Sequence, residues 1–166
     1  MGDPLTVDLI YDGADVAKED VPLNKIQFFA ISLMHLTDIS IITKLESLTV
    51  IQLRLCNLVV FPEEFFSMPN LESIDLSGNS IASLQIPIKK EDNEGDIQDI
   101  WQKLPKLTTL NLSENSLNDI NEIMKLKTIP KLKHLVLTGN ICLTANNAFN
   151  RICEAFPNLL ALTVTF

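Results

Sequence analysis

Two histidines, three cysteines and the carboxylates are the side chains of this chain that could act as nucleophiles, bases or metal ligands. A thiol–imidazole nucleophile needs a cysteine and a histidine within hydrogen-bond reach, with a third group to orient the ring. Cys142 and Cys153 follow His134 in sequence, but both sit at positions patterned as core, where a thiol stays protonated and inert. His35 lies beside the first predicted bend and has no such neighbour. No Cys-x-x-Cys pair and no His/Cys/acid spacing of a metal site occurs. The acidic run EDNEGD (residues 91–96) lacks the regular ligand spacing of a calcium loop. Gly78 and Gly139 belong to bends and not to a phosphate loop. The sequon Asn111-Leu112-Ser113 falls inside a predicted strand and is discounted as a glycan site. The chemistry on offer is therefore recognition: no catalytic residue, no metal and no cofactor is expected.

The elements that would position a recognition surface are written in the apolar spacing. Residues 107–117, LTTLNLSENSL, carry leucine at the first, fourth, sixth and eleventh places and asparagine at the ninth. This is the L-x-x-L-x-L-x-x-N-x-L pattern of a leucine-rich repeat. Copies start near residues 26, 48, 71, 107, 132 and 159, the last cut off by the end of the sequence. The fourth and sixth places make a short strand with one buried face, which only stacking with neighbouring copies can cover. The expected fold is an α/β leucine-rich repeat solenoid. Its form is a right-handed β-α superhelix with a parallel sheet on the concave face and short helices or 3-10 turns on the convex face. Asn79, Asn115 and Asn140 are expected to stack as a ladder that satisfies backbone groups at the bend, with Cys56 as a small stand-in and Met34 as the exception in the first copy.

Residues 1–166 read as one domain. Residues 1–25 form an N-terminal segment whose first 20 residues carry six carboxylates against Lys18 and alternate at Leu5, Val7 and Leu9. That alternation predicts a strand or hairpin capping the first repeat. Residues 86–99 form an insertion with an acidic, exposed middle, and Asp96 reads as the cap of a helix presenting Ile97, Ile100, Trp101 and Leu104. Pro62 is placed for a first helical position. Outer helices are predicted at Ile120, Ile123, Met124 and Ile129, and at Ala148, Phe149, Ile152, Cys153 and Phe156. The odd cysteine count and the absence of a signal peptide predict reduced, buried thiols in an intracellular protein, cytoplasmic or nuclear.

The side chains least needed by the core are those at the third, fifth and seventh places, which face away from it. They nominate a partner-binding concave face: Phe28, Val50, Gln52 and Arg54 at the N-terminal end, then Ser73, Asp75, Ser77, Thr109, Asn111, Ser113, His134 and Val136. Phe28 and Arg54 are of the types that dominate interface energetics. A second reading packs Phe28 under the N-terminal segment.

The repeats resemble the leucine-rich repeat superfamily, and the closing stretch FNRICEAFPNLLAL (residues 149–162) resembles its intracellular group, which includes the acidic leucine-rich nuclear phosphoproteins. That group usually has a Tyr-Arg pair and an aspartate where this chain holds Ala148, Phe149 and Thr163. The order MPNLESIDLSGNSI, DIQDIWQKLPKLTTLNLSENSL, LKHLVLTGNIC is similar to the repeat domain of nuclear RNA export receptors of the TAP type. The resemblance implies a non-enzymatic scaffold for a protein partner or, as the alternative, a nuclear RNA-export or ribonucleoprotein adaptor. The net charge of -8 argues against direct nucleic-acid binding, although lysines gather at Lys125, Lys127, Lys131 and Lys133. No membrane association is expected, and the chain is read as a monomer or weak oligomer.

Overall fold

The computed structural model describes residues 2–85 and 97–165. In chain order its elements are β1 (Asp3–Pro4), α1 (Val7–Ala14), β2 (Phe28–Ser32), β3 (Leu36–Asp38), β4 (Val50–Arg54), β5 (Ser73–Asp75), β6 (Thr109–Asn111), α2 (Ile120–Met124), β7 (His134–Val136), α3 (Ala148–Ala155) and β8 (Ala161–Thr163). Six of these strands form one parallel sheet in the order β2-β4-β5-β6-β7-β8, so every neighbour is the next repeat. A parallel sheet in sequence order needs a return segment after each strand. Here the returns are short 3-10 turns at Ser40–Lys44, Glu63–Ser67, Ile97–Lys103, Lys125–Thr128 and Ile141–Thr144, together with α2 and α3. The architecture is that of a leucine-rich repeat solenoid.

The repeat pattern determines which face is buried. Fourth and sixth places, Ile51, Leu53, Ile74, Leu76, Leu110, Leu112, Leu135 and Leu137, are buried, as are the first places Ile26, Leu48, Leu71, Leu107 and Leu132. On the outer side Phe61, Phe66 and Trp101 stack in tilted and edge-to-face contacts, with ring centroids 4.9 to 5.7 Å apart. This cluster joins the return after β4 to the 3-10 segment before β6. Pro62 precedes Glu63–Ser67 as its N-cap residue and not its first helical position.

The N-terminal segment departs from its expected form. The alternation at Leu5, Val7 and Leu9 predicts a strand, but residues 7–14 are helical. Helical spacing wins because Val7, Ile10, Tyr11 and Ala14 share one face and the Thr6 side chain accepts from the Leu9 amide at 3.3 Å, an N-cap with Asp8 in the first turn. Asp15, at φ 54°, ends the helix, and the Tyr11 hydroxyl donates to the Val21 carbonyl at 3.0 Å. The strand of this segment is confined to Asp3–Pro4, and β1 pairs with β3, outside the main sheet. α1 lies directly on β2: a Cβ on Gly13 would come within 2.5 Å of the Ala30 carbonyl and of the Phe29 ring. A glycine is what lets the helix backbone approach the strand so closely.

The cysteines and the last helix also need correction. Cys56 and Cys142 are buried, but Cys153 is exposed on α3, and Phe149 is exposed beside it. α3 turns Ala148 and Ile152 inward, and Phe149 and Cys153, each one position further on, are rotated out of the core-facing stripe. The acidic insertion loop of residues 91–96 and the Asp96 cap lie outside the described residues.

Candidate protein-interaction face

The site rests on the bend after each strand, and the ninth-place side chain governs that bend. Asn79 Oδ1 accepts from the amides of Cys56 (2.9 Å) and Leu58 (3.0 Å), while its Nδ2 donates to the carbonyls of Leu53 (2.7 Å) and Leu76 (2.8 Å). Asn115 accepts from Ile81 and donates to Leu76 and Leu112; Asn140 accepts from Leu117 and donates to Leu112 and Leu137. Each amide thus ties its own sixth-place carbonyl to that of the repeat before it. Cys56 does a weaker version of this, with its Sγ 3.2 Å from the Arg54 carbonyl and 3.8 Å from that of Ile31. Burial pushes the Cys56 thiol up from its usual range and that of Cys142 up to about 11, so both stay protonated and neither is a nucleophile.

The eighth place bends through the left-handed region in every complete repeat: Leu33 (φ 60°), Leu55 (53°), Gly78 (69°), Glu114 (54°) and Gly139 (76°). Glycine takes this conformation freely, whereas leucine is strained there. Leu33 is 79% exposed, whereas Leu55, 51% exposed, lays its side chain over Gly78, where a Cβ would come within 2.5 Å of Leu55 Cδ2.

The predicted concave rows are aligned by the sheet. Phe28, Val50, Ser73, Thr109, His134 and Ala161 pair in one register row, and Ala30, Gln52, Asp75, Asn111, Val136 and Thr163 in the next. Ser32 pairs with Arg54, whereas Ser77 and Ser113 lie just past the ends of their strands. Alignment does not make these residues equally available. Asp75 is 8% exposed: its Oδ2 takes Arg54 Nε and Nη2 at 2.8 Å each, and its Oδ1 takes the Ser77 amide at 2.9 Å. Asn111 Oδ1 accepts from the amide and hydroxyl of Ser113. Arg54 is therefore neutralised by a carboxylate one strand over. The pair is diagonal, seventh place to fifth place, a neighbour relation legible once the register is known.

By contrast, Phe28 is 44% exposed, while Gln52 is half-buried and makes no side-chain hydrogen bond among the described residues. A cavity of about 380 Å³ lies at this end of the sheet. Leu9, Asp12 and Gly13 of α1 form one wall and Ala30, Ile31 and Ser32 of β2 another, with Met34, Gln52 and Arg54 completing the lining. The α1 residues were invisible to a reading that made this segment a strand; the Thr6 cap and the spacing from Val7 to Ala14 were the signal.

Elsewhere Glu122 of α2 accepts from Ser83 Oγ and the Leu84 amide and pairs with Lys125 at 2.7 Å, bracing the segment that leads into residues 86–96. Burial pushes this carboxyl up, but the bonds from Lys125, the Leu84 amide and Ser83 outweigh it and hold it below the ordinary range. Lys127, Lys131 and Lys133 are exposed. Among the described residues no cluster of His, Cys, Asp and Glu could hold a metal ion, and no helix is long and apolar enough to cross a membrane.

Strands in repeat order, a buried asparagine at three successive bends and a side-chain row facing away from the core define a leucine-rich repeat protein. Residues 80–163 match the NXF1/2/3/5 leucine-rich repeat domain, and residues 70–89 match the general leucine-rich repeat. The chain belongs to the NXF1/2/3/5 leucine-rich repeat domain family. It is 35% identical over 100 residues to nuclear RNA export factor 2 of Homo sapiens, which covers 58% of this chain and 14% of that protein. It is 31% identical over 117 residues to acidic leucine-rich nuclear phosphoprotein 32 family member A of Drosophila melanogaster, covering 70% of this chain and 38% of that one. The chain thus spans less than half the length of these relatives. A solved structure, the Drosophila melanogaster SNF/U2A' complex, contains a chain of the same fold: TM-score 0.69, 20% identity, 96% of this chain and 83% of that one.

Proposed function

We propose that this chain is a non-enzymatic interaction module that binds a protein partner through the N-terminal end of its concave face. The observation that carries this reading is the contrast within the aligned rows. Asp75, Asn111, Ser77 and Ser113 hold one another or their own backbone, whereas Phe28 is exposed and Gln52, half-buried in the lining of a cavity, makes no side-chain hydrogen bond among the described residues. A rigid sheet that presents such groups in fixed register binds with little ordering cost. The names of the relatives favour a nuclear setting.

The second reading is an RNA-export or ribonucleoprotein adaptor, favoured by membership of the NXF1/2/3/5 family. It would use the exposed Lys127, Lys131 and Lys133, since Lys125 is engaged by Glu122. A pull-down from nuclear extract, with and without nuclease, separates the two. The concave reading expects bound protein that survives nuclease and is lost in the double variant Phe28→Ala, Gln52→Ala. The adaptor reading expects loss on nuclease treatment and in Lys127→Glu, Lys131→Glu, with a reduced salt slope. Arg54 is a poor site to test by charge reversal, because Arg54→Glu would set a second carboxylate against buried Asp75.

A further inference from the structure

We infer that the cavity between α1 and the concave sheet takes a basic amphipathic segment of the partner, seating one arginine side chain against Asp12; this rests on the concave-face reading and names the chemistry of its partner. The balance of charge in the cavity carries the choice. Two charged side chains line it, Asp12 and Arg54. Arg54 is neutralised by Asp75 at 2.8 Å. Among the described residues the Asp12 carboxylate has neither a salt-bridge partner nor a hydrogen-bond donor, since Lys18, the base nearest in sequence, pairs with Asp8 instead. With Asp75 counted, the cavity carries one uncompensated negative charge. An anionic ligand would meet that charge, and the surrounding segment adds Asp15, Glu19 and Asp20 of the same sign.

The rest of the lining selects among cations. Leu9, Ala30, Ile31 and Met34 give an apolar wall that a bare ion or small polar cation would leave unused. A long side chain with an aliphatic stem and a charged head matches such a site, and arginine adds a planar fork for carboxylate and amide oxygens. Gln52 supplies an unengaged amide in the same lining. Phe28, 44% exposed on the same strand as Ala30, offers the contact for an apolar residue next to the arginine. Backbone position is fixed on both sides, because Gly13 brings α1 into direct contact with β2.

The test uses two synthetic helical peptides with the same leucine stripe, one with arginine and one with glutamate at the polar positions, each fluorescently labelled and titrated by anisotropy. The full chain should bind the arginine peptide and not the glutamate one. Asp12→Lys should weaken binding of the arginine peptide by about tenfold or more, and Asp12→Asn should weaken it less, in the same direction. Glu19→Lys makes the same charge change outside the cavity and should leave affinity within about twofold. No binding of the arginine peptide, or equal losses in Asp12→Lys and Glu19→Lys, would overturn the inference, the latter because it reveals general attraction to an acidic protein. If the Phe28→Ala, Gln52→Ala variant loses a captured partner while Asp12→Lys retains it, the concave-face reading stands and the arginine seat falls.

Discussion

The first two repeats and the three that follow solve the same bend in different ways. In the later ones a buried asparagine amide gathers three to five backbone groups, and the strands are three residues long. In the first two the ninth place holds Met34 and Cys56, and β2 and β4 run for five residues each. The longer backbone ladder and the packing of α1 on β2 replace side-chain bridges. The difference also reaches the surface: the third and fourth repeats tie their fifth-place Asp75 and Asn111 to backbone, while the first two leave half-buried Ala30 and Gln52 lining an open cavity. Where backbone pairing sustains the fold, side chains are free for recognition.

The sharpest way to break this comparison is at the ninth place. Asn79→Ala leaves buried amides and carbonyls without partners and should lower stability by about 2–4 kcal/mol in urea unfolding. Cys56→Ala removes only weak sulfur contacts and a little volume, and should cost about 1 kcal/mol. Equal losses at the two sites would mean that the first repeats lean on their bend as heavily as the later ones do.

Arg54→Ala strands the Asp75 carboxylate, but Arg54 is itself half exposed and water can replace part of the pair. A loss of about 1–2 kcal/mol is expected in the same assay. Ser73→Ala, a neighbour in the aligned rows with no such charge to strand, should be close to neutral.

Glu122 sharpens the contrast from the C-terminal side. Its folded carboxyl lies below the ordinary range, so its bonds stabilise the native state above the unfolded carboxylate pKa and are lost as pH falls through the folded one. Urea midpoints of the wild type should therefore drop on acidification by more than those of Glu122→Gln. A smaller drop in the wild type would reverse the sign assigned to this group.

The smallest effect concerns the eighth place. Leu33→Gly relieves left-handed strain of about 1–2 kcal/mol against a glycine entropy cost of about 0.5–1, so a gain of about 0.5–1 kcal/mol is expected at this exposed position. A net loss of stability would show that the Leu33 side chain makes contacts that matter to the fold.

The repeat spacing was enough to read the sheet, its order and the asparagine positions, because each rests on a local apolar period and a bend repeated several times. The N-terminal helix was lost because Leu5, Val7 and Leu9 fit a two-residue period over too short a stretch, while the Thr6 cap and the Val7, Ile10, Tyr11, Ala14 face fit the longer one. The concave rows were legible as positions and not as available chemistry. Whether Asp75 faces a partner or holds Arg54 depends on a diagonal across two strands. Cys153 was misread for a related reason: which face of α3 turns inward is set by its packing, and the apolar character of Phe149 and Cys153 did not decide it.

The most direct test of a binding face confined to the first two repeats is a comparison of two double variants in one nuclease-treated pull-down. Phe28→Ala, Gln52→Ala alters the N-terminal end of the aligned rows, and Thr109→Ala, His134→Ala alters the same rows farther along. The account predicts that the first variant loses the bound protein and the second retains it, with both as stable as wild type to within about 1 kcal/mol. Retention in the first and loss in the second would contradict it.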